Sequence, residues 1–350
     1  MSDVQLKIGN QVYGGWTQVK VRRSLDLFAS TFDLAYTDRW PGQNGARPIA
    51  LGAAAELYID GQKLITGYVD KAPVRYSARE RSLGVSGRSK VADLVDCTFN
   101  ADKLNGVQRN DQTLLQLADY LAKPFRVKAK SSVAGLKVIE QPVINSIQTA
   151  FDFLEKLSRK EAVMLLDDPD GNLVIARASS RRAPTALVLG QNILECDGEE
   201  SHRDRFSIYN IFGQYPDPDS QHAPEWKAHV SGRAEDAGMR YRPTTIDAET
   251  ALDYADAERR AIWQRNLNYG RSRQYTYIVN GWRHKDGLWE PNTLVLVFDP
   301  WAGIVGKDDQ GEWLMIGTVE YLLDESGERS RLTVMPKEAY DLIPIEDDAP

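Results

Sequence analysis

Leu64-Ile65-Thr66-Gly67-Tyr68-Val69-Asp70 returns late in the chain as Leu314-Met315-Ile316-Gly317-Thr318-Val319-Glu320. A second match follows in the same order, Leu83-Gly84-Val85 against Leu332-Thr333-Val334, and the spacing slips by only one residue between the two. Upstream, Glu56-Leu57-Tyr58-Ile59-Asp60 parallels the pattern of Val295-Leu296-Val297-Phe298-Asp299. Any two antiparallel hairpins share apolar alternation and glycines, so one match alone carries little. Two in order at nearly constant spacing predict a duplicated β unit. Two like units per chain suit a closed ring. Three chains would present six near-equivalent units and so match a three-fold object to a six-fold one.

Working outward from the first copy, residues 1–96 read as β. Leu6, Ile8 and Val12 alternate with polar neighbours before the Gly14-Gly15 turn, and Phe32, Leu34 and Tyr36 sit two apart on one strand face. Glu56 to Val69 reads as a hairpin with Asp60-Gly61 at its turn. Residues 97–188 switch period. Leu114, Leu117, Ala118 and Leu121 fall on one helix face, with Asn110 or Asp111 as cap and Pro124 as stop. A second helix is expected from Ser146 to Arg159. Asn145 and Gln148 form its capping box, and Ile147, Ala150, Phe151 and Leu154 its apolar face. The hairpin Val163–Ala176 follows, turning at Asp167-Asp168-Pro169-Asp170-Gly171-Asn172. This segment is predicted to be a small α+β domain between the two β units.

Residues 189–240 read as a connecting segment. Its strand over Ser207–Tyr215 either returns to the first unit or belongs to the second. The second unit is expected over 241–336. It includes a helix from Ala248 to Leu267 capped by Asp247, with Asp256 and Arg260 spaced i, i+4 on the solvent side. Strand patterns resume at Gln274–Trp282, Thr293–Phe298, Glu312–Tyr321 and Ser330–Val334. Residues 337–350 form an acidic C-terminal tail, expected to be loose at Glu346–Pro350. The fold class is therefore α+β, mainly β, with two related antiparallel β-barrels around an inserted α+β domain.

The chain has 350 residues and a net charge of -7. A mildly acidic surface argues against a duplex-DNA binder but suits a passage through which DNA slides, because an acidic wall repels phosphate. Cys97 and Cys196 form no metal motif and are expected to be half-buried in a reducing compartment. Met1 to Lys7 lack a basic start followed by an apolar run, so no signal peptide is expected. Apolar stretches are too short to span a membrane. Folding in a cytoplasm is the expectation.

Catalytic signatures are missing. Gly84-Val85-Ser86-Gly87 falls short of a nucleophile elbow, since Arg88 follows. Gly303-Ile304-Val305-Gly306-Lys307-Asp308 has the wrong glycine spacing for a phosphate loop, and Asp308 stands where a hydroxyl is needed. His222 and His229 are read as loop histidines rather than a metal pair. Asp167, Asp168 and Asp170 lack the closing glutamate of a calcium loop, and a turn explains them. Trp282, Trp289, Trp301 and Trp313 are assigned to core packing or a subunit interface in preference to ligand stacking. No catalytic, cofactor-binding or metal-ligating residue is assigned. A cell-wall hydrolase built on a carboxylate pair, or a glycan-binding module using the tryptophans, stands as the alternative.

Several segments resemble a known family. Ala150–Glu161 followed by Leu165–Ile175 is similar to the stretch of phage tail hub proteins where a helix leads into a hairpin with a D-G-N-L turn. Ala257–Trp263, Tyr275–Trp282 and Gly287–Val295 look like the later half of the same family. The nearest resemblance is to the baseplate hub proteins of Mu-like contractile-tail bacteriophages, with late-control proteins and type VI secretion spikes further off. The resemblance implies a structural, non-enzymatic homotrimer in the virion. Its two tube-type barrels per chain would form a pseudo-six-fold ring, with the tail tube protein above and a separate central spike protein below. Other baseplate proteins would lie around it, and DNA would pass through the channel during injection. No catalytic residue or cofactor is carried over.

Overall fold

The computed structural model describes residues 2–36, 49–76, 81–98, 109–139, 142, 144, 148–214 and 229–342. The first β region contributes β1 (Val4–Ile8), β2 (Gln11–Tyr13), β3 (Gln18–Ser24), β4 (Thr31–Tyr36), β5 (Ala54–Ile59), β6 (Gln62–Lys71), β7 (Val74–Tyr76) and β8 (Arg81–Ser89). The expected hairpin is β5–β6. Asp60 and Gly61 take φ of 49° and 78°, the left-handed pair that a two-residue turn between twisted strands requires. Val4, Leu6, Phe32, Leu34, Leu57 and Ile59 alternate inward and are buried. Val12 is exposed.

After the short helix α1 (Ala92–Asp96) come β9 (Gln112–Thr113), α2 (Leu114–Ala122), β10 (Ala129–Ser131), β11 (Val138–Ile139), α3 (Ala150–Glu161), β12 (Met164–Asp167) and β13 (Leu173–Ala176). The helices pack on a three-stranded sheet ordered β10-β13-β12, around Leu117, Leu121, Leu154, Leu157, Leu173 and Ile175. Both helices start later than the sequence suggested. Thr113 and Gln116 form the capping box of α2, and Thr149 and Asp152 that of α3, each satisfying two otherwise orphaned amides. Asn145 and Ile147 lie outside the described residues. The buried face of α3 includes Ala150, Phe153, Leu154 and Leu157, while Phe151 is half-buried against the Phe28 ring.

The rest of the chain contributes β14 (Leu187–Val188), β15 (Ile193–Glu200), β16 (Ile208–Gln214), β17 (His229–Glu235), β18 (Pro243–Ala251), α4 (Tyr254–Ser272), β19 (Arg273–Asn280), β20 (Arg283–His284), β21 (Gly287–Leu288), β22 (Leu294–Phe298), β23 (Glu312–Asp324) and β24 (Gly327–Pro336), of which β14, β15, β19 and β22 to β24 make the second β region. The strand expected over Ser207–Tyr215 appears as β16, and it joins neither β region. It pairs with β17 and β18 in a separate three-stranded sheet covered by α4. Residues 248–251 finish β18, so α4 begins at Tyr254 with Asp253 as its cap, not Asp247. Asp256 and Arg260, expected on the solvent side, are 3% and 4% exposed. The cause is that α4 is covered by β16 and β17 and by α3, and Asp256 is bound there by Lys137 at 2.5 Å and Arg259 at 2.9 Å.

The two β regions share one strand order. The first runs β1-β5-β6-β8-β4-β3 and the second β14-β22-β23-β24-β19-β15, with the strands in the same succession along the chain. The duplication is thus a duplication of topology. Residue registers differ. Gly67 pairs with Ser89 in β8, whereas Gly317 falls within a bulge between Ile316 and Thr318. The outer pair also differs: β1 meets β5 antiparallel, and β14 meets β22 parallel. The halves are not separate bodies. β3 pairs with β23, so all of these strands join a 14-stranded sheet, and residues of both halves form one apolar cluster. Each fully buried aliphatic side chain there contributes about 1.5–3 kcal/mol. Within 337–350, Ala339 and Tyr340 are buried against α4, and Glu346–Pro350, expected to be loose, lie outside the described residues.

Candidate assembly interface

The junction of the halves is built from β3 and the C-terminal part of β23. Val21 stands opposite Tyr321 and Arg22 opposite Glu320. Ser24 and Thr318 hydroxyls share a hydrogen bond of 2.6 Å, and the Leu25 amide donates to the Gly317 carbonyl at 2.8 Å. On the face away from the core, Glu320 collects Arg331 at 3.1 Å, Arg22 at 3.5 Å and Lys20 at 3.8 Å. Glu320 is 6% exposed, so its charge needs these cations. A basic β3 thus closes on an acidic β23.

The equivalent strand of the second half, β15, has β19 on one side and no strand on the other among the described residues. Residues 194 to 200 are all exposed, and Leu194 is 48% exposed. Glu200 accepts from Tyr275 Oη at 2.5 Å and Arg273 at 3.2 Å. Burial opposes its charge, but these donors hold its pKa below the usual carboxylate range. Glu195, Asp197 and Glu199 alternate on this strand. Cys196 is on the same strand and is exposed, as is Cys97 at the end of α1. Neither is half-buried as expected: Cys97 caps the C-terminal end of α1, and Cys196 lies within β15, the last strand of its sheet.

Nearby, the 3₁₀ turn Pro300–Ala302 displays Trp301 at 95% exposure. The turn is held from beneath. Asp299 accepts from the Trp301 and Ala302 amides at 3.1 and 3.2 Å, and Tyr277 Oη donates to it at 3.2 Å. Burial, with Cys196 and Asp299 adding to it, pushes the Tyr277 pKa up. Trp282 and Trp289 are core residues, 1% and 2% exposed, and Trp313 carries Arg182 over its ring at 4.5 Å.

The acidic turn 167–172 joins the α+β insertion to the first half. Asp168 accepts from the amides of Asn172 at 2.8 Å and Asp170 at 3.0 Å, and from Lys130 at 2.8 Å. Asp167 accepts from the Ser30 amide and hydroxyl at 3.0 and 2.9 Å. Thr66 donates to the Pro169 carbonyl at 2.8 Å, and Lys63 meets Asp170 at 2.5 Å. Burial pushes the Asp167 pKa up. Burial also works against the Asp168 charge, yet Lys130 and Asn172 outweigh it and hold its pKa down. The two carboxyls line a groove of about 750 Å³ with Arg23, Arg177, Arg181 and Glu290. Their pKa values are split, as a hydrolase pair requires. Their oxygens, however, are taken by donors of the fold, so the arrangement serves the turn rather than a substrate.

The four histidines are not seen gathered. His222 lies outside the described residues, His202 is exposed, His229 opens β17, and His284 packs edge-on against Trp289 with ring centroids 5.1 Å apart. Burial lowers the His284 pKa. Among the described residues no group of three or more His, Cys, Asp or Glu could hold a metal ion, and no helix is long and apolar enough to cross a membrane. Sequence reading missed Glu320 and the acidic β15. The run Glu195-Cys196-Asp197-Gly198-Glu199-Glu200 was the available signal for the second.

A repeated sheet with one edge filled and its counterpart open is the framework of an assembly scaffold. Comparison with known proteins agrees. Residues 3–89 match the N-terminal domain model of Mu phage baseplate assembly protein GpP-like proteins. Residues 91–177 match the second domain of baseplate hub protein gp44-like proteins, and 253–343 the fourth domain of Mu phage baseplate assembly protein GpP. The chain is 32% identical to the baseplate hub protein gp44 of Escherichia phage Mu, over 99% of this chain and 90% of that protein. The crystal structure of the 43 kDa tail protein of prophage MuSo2 from Shewanella oneidensis superposes with a TM-score of 0.82 at 33% identity, covering 98% of this chain and 100% of that one. The tail protein from Neisseria meningitidis MC58 shares the fold, with a TM-score of 0.81 at 22% identity over 98% and 99% of the two chains. The chain belongs to the Mu-type baseplate hub protein family. Its role is structural, in the baseplate of a phage tail.

Proposed function

We propose that the chain is the hub of a contractile-tail baseplate, acting as a homotrimer. It adapts the six-fold tail tube to a three-fold central spike and leaves a channel through which DNA passes during injection. The supporting observation is the shared strand order of the two halves, β1-β5-β6-β8-β4-β3 and β14-β22-β23-β24-β19-β15. Three chains then present six alike sheets, which is the count a six-fold tube needs. The central spike is a separate protein in this reading, and the tube and other baseplate proteins bind the outer surfaces. The relatives bear structural names, in keeping with a protein that carries out no catalysis. Size exclusion with light scattering tests the proposal. A mass of three 39.3 kDa chains is expected. A clean monomer at micromolar concentration, persisting when the spike protein is added, would overturn it.

A further inference from the structure

After β24 the chain runs up to the wall of the 750 Å³ groove between the α+β insertion and the two β regions. Ala178 lines that groove, and its amide donates to the Tyr340 carbonyl at 3.2 Å. The approach is fixed on both sides. Tyr340 Oη donates to Asp26 at 2.5 Å, and Asn266 Nδ2 donates to the Asp341 carbonyl at 2.9 Å. Leu342 is half-buried against the cluster that holds Leu166 and Ala178, both of them groove residues. The sequence then reads Ile343-Pro344-Ile345-Glu346-Asp347-Asp348-Ala349-Pro350. An apolar triplet comes first and an acidic run follows. Eight residues reach at most about 26–29 Å.

The groove has an apolar floor and a charged rim. Leu165, Leu173 and Ile175 face the helices of the insertion, so Leu166, Val174 and Ala176 lie on the other face of that sheet and floor the groove. Asn292 fixes one wall, accepting from the Ser179 amide at 2.8 Å and donating to the Arg177 carbonyl at 3.0 Å. The carboxyls on the rim are matched. Lys130 holds Asp168 at 2.8 Å, Arg181 holds Glu290 at 3.1 Å, and Ser30 donates twice to Asp167. Two cations are less well served. Arg177 gives its donors to the Ala162 and Glu161 carbonyls at 3.1 and 3.2 Å and meets no carboxylate among the described residues. Arg23 stands near Asp167, yet its Nε finds no acceptor. Positive charge is therefore left over beside an apolar floor.

We propose that this groove is the seat of residues 343–350 of the same chain, with Ile343 and Ile345 on the floor and Glu346, Asp347 and Asp348 toward Arg23 and Arg177. The order of the segment fits the order of the surface. Its apolar residues follow Leu342, which already packs with the floor, and its acids come later, where the rim is reached. Single exposed ion pairs hold little. The tether supplies the rest, because a short flexible link keeps its end at an effective concentration of order mM. A contact too weak to form between separate molecules then forms within one. Seated there, the segment straps the insertion to the first β region beside the turn 167–172. This seat belongs to a single chain, whatever the number of chains in the assembly.

A thiol placed in the groove reports whether it is covered. The full chain carries Ser180→Cys, at an exposed lining residue, with Cys97→Ser and Cys196→Ser to remove the two exposed native thiols. Alkylation of the introduced thiol by an uncharged maleimide is expected to be about tenfold slower than in the same protein shortened after Leu342, the factor for a site open one-tenth of the time. Glu346→Lys/Asp347→Lys/Asp348→Lys keeps the chain length and is expected to react as fast as the shortened form. High salt should remove most of the difference. Should the shortened form fail to melt as a folded protein, the charge-reversed form keeps the test. Equal rates in the parent, shortened and charge-reversed forms overturn the proposal. A charge-reversed form as slow as the parent overturns the pairing with Arg23 and Arg177. A shortened reporter that slows when mixed with full chain lacking Ser180→Cys shows the segment of a second copy in the groove, and overturns the assignment to the same chain.

Discussion

β3 and β15 hold the same place in two sheets of the same strand order, and their surroundings differ. β3 is covered: Val19 and Val21 are 2% and 0% exposed, and β23 completes its hydrogen bonds. β15 is bare along seven residues, and Gly198 stands beneath the Tyr275 ring where β3 has a valine opposite Phe32. The difference teaches that a duplicated unit does not fold as two equal bodies. One copy of the junction is formed in the chain and contributes to its stability. The other leaves one strand edge without a strand partner among the described residues.

The comparison can be broken at its glycines. A Cβ on Gly67 would lie 1.8 Å from the Arg88 carbonyl oxygen, a backbone atom that cannot move without the ladder. A Cβ on Gly317 would meet the terminal methyl of Met335 at 2.4 Å, which can rotate away. Gly67→Ala is therefore expected to cost about 3 kcal/mol or more, and Gly317→Ala about 1 kcal/mol, by urea denaturation. Equal costs would mean that the two glycines hold equivalent places after all.

A smaller contrast separates the two third strands. Val21→Ala should cost about 2 kcal/mol, as a fully buried side chain packed across the junction. Leu194→Ala, at 48% exposure, should stay within about 0.5 kcal/mol in the dissociated chain. A large effect of Leu194→Ala on the monomer would show that β15 is covered within its own chain.

Next comes the turn that only the first half uses as an anchor. Asp168→Ala is expected to cost about 1–2 kcal/mol at neutral pH, because the Asn172 and Asp170 amides lose their acceptor. The pH sign follows from its lowered pKa. The folded protein binds this proton more weakly than the unfolded chain, so the stabilisation is present above the ordinary carboxylate value. It is lost as pH falls through the lower folded value. Acid unfolding of Asp168→Ala should be flatter in that window than that of the parent, and parallel curves would refute the assignment. The smallest effect belongs to Trp301→Ala, within about 0.5 kcal/mol by thermal melting, since the side chain is 95% exposed.

Much of the architecture was legible because it is written in short range. Alternation places Phe32, Leu34, Leu57 and Ile59 on one face, and Asp60-Gly61 is a turn wherever strands flank it. The helix caps were displaced by a few residues. Asn, Asp and Thr are all competent caps, and the choice of Thr113 and Thr149 rests on where packing begins. Asp256 and Arg260 read as a surface pair because i, i+4 charges usually are. Their burial comes from strands and a helix far away in the chain.

The same division holds for the interface. By itself the sequence determined that there are two related β units, that an α+β segment separates them, and that no catalytic motif accompanies them. Periodicity, turns and motifs are local properties, and a single chain displays them without reference to its fold. Only the tertiary structure decided that the units share one sheet through β3 and β23, that β15 has an open edge among the described residues, and that Glu320 is buried beneath three cations. Those facts depend on which strands of like pattern hydrogen-bond to one another across some 300 residues of chain. Apolar alternation is nearly the same in every strand, so it cannot specify the partner. Closing the chain around a common core does.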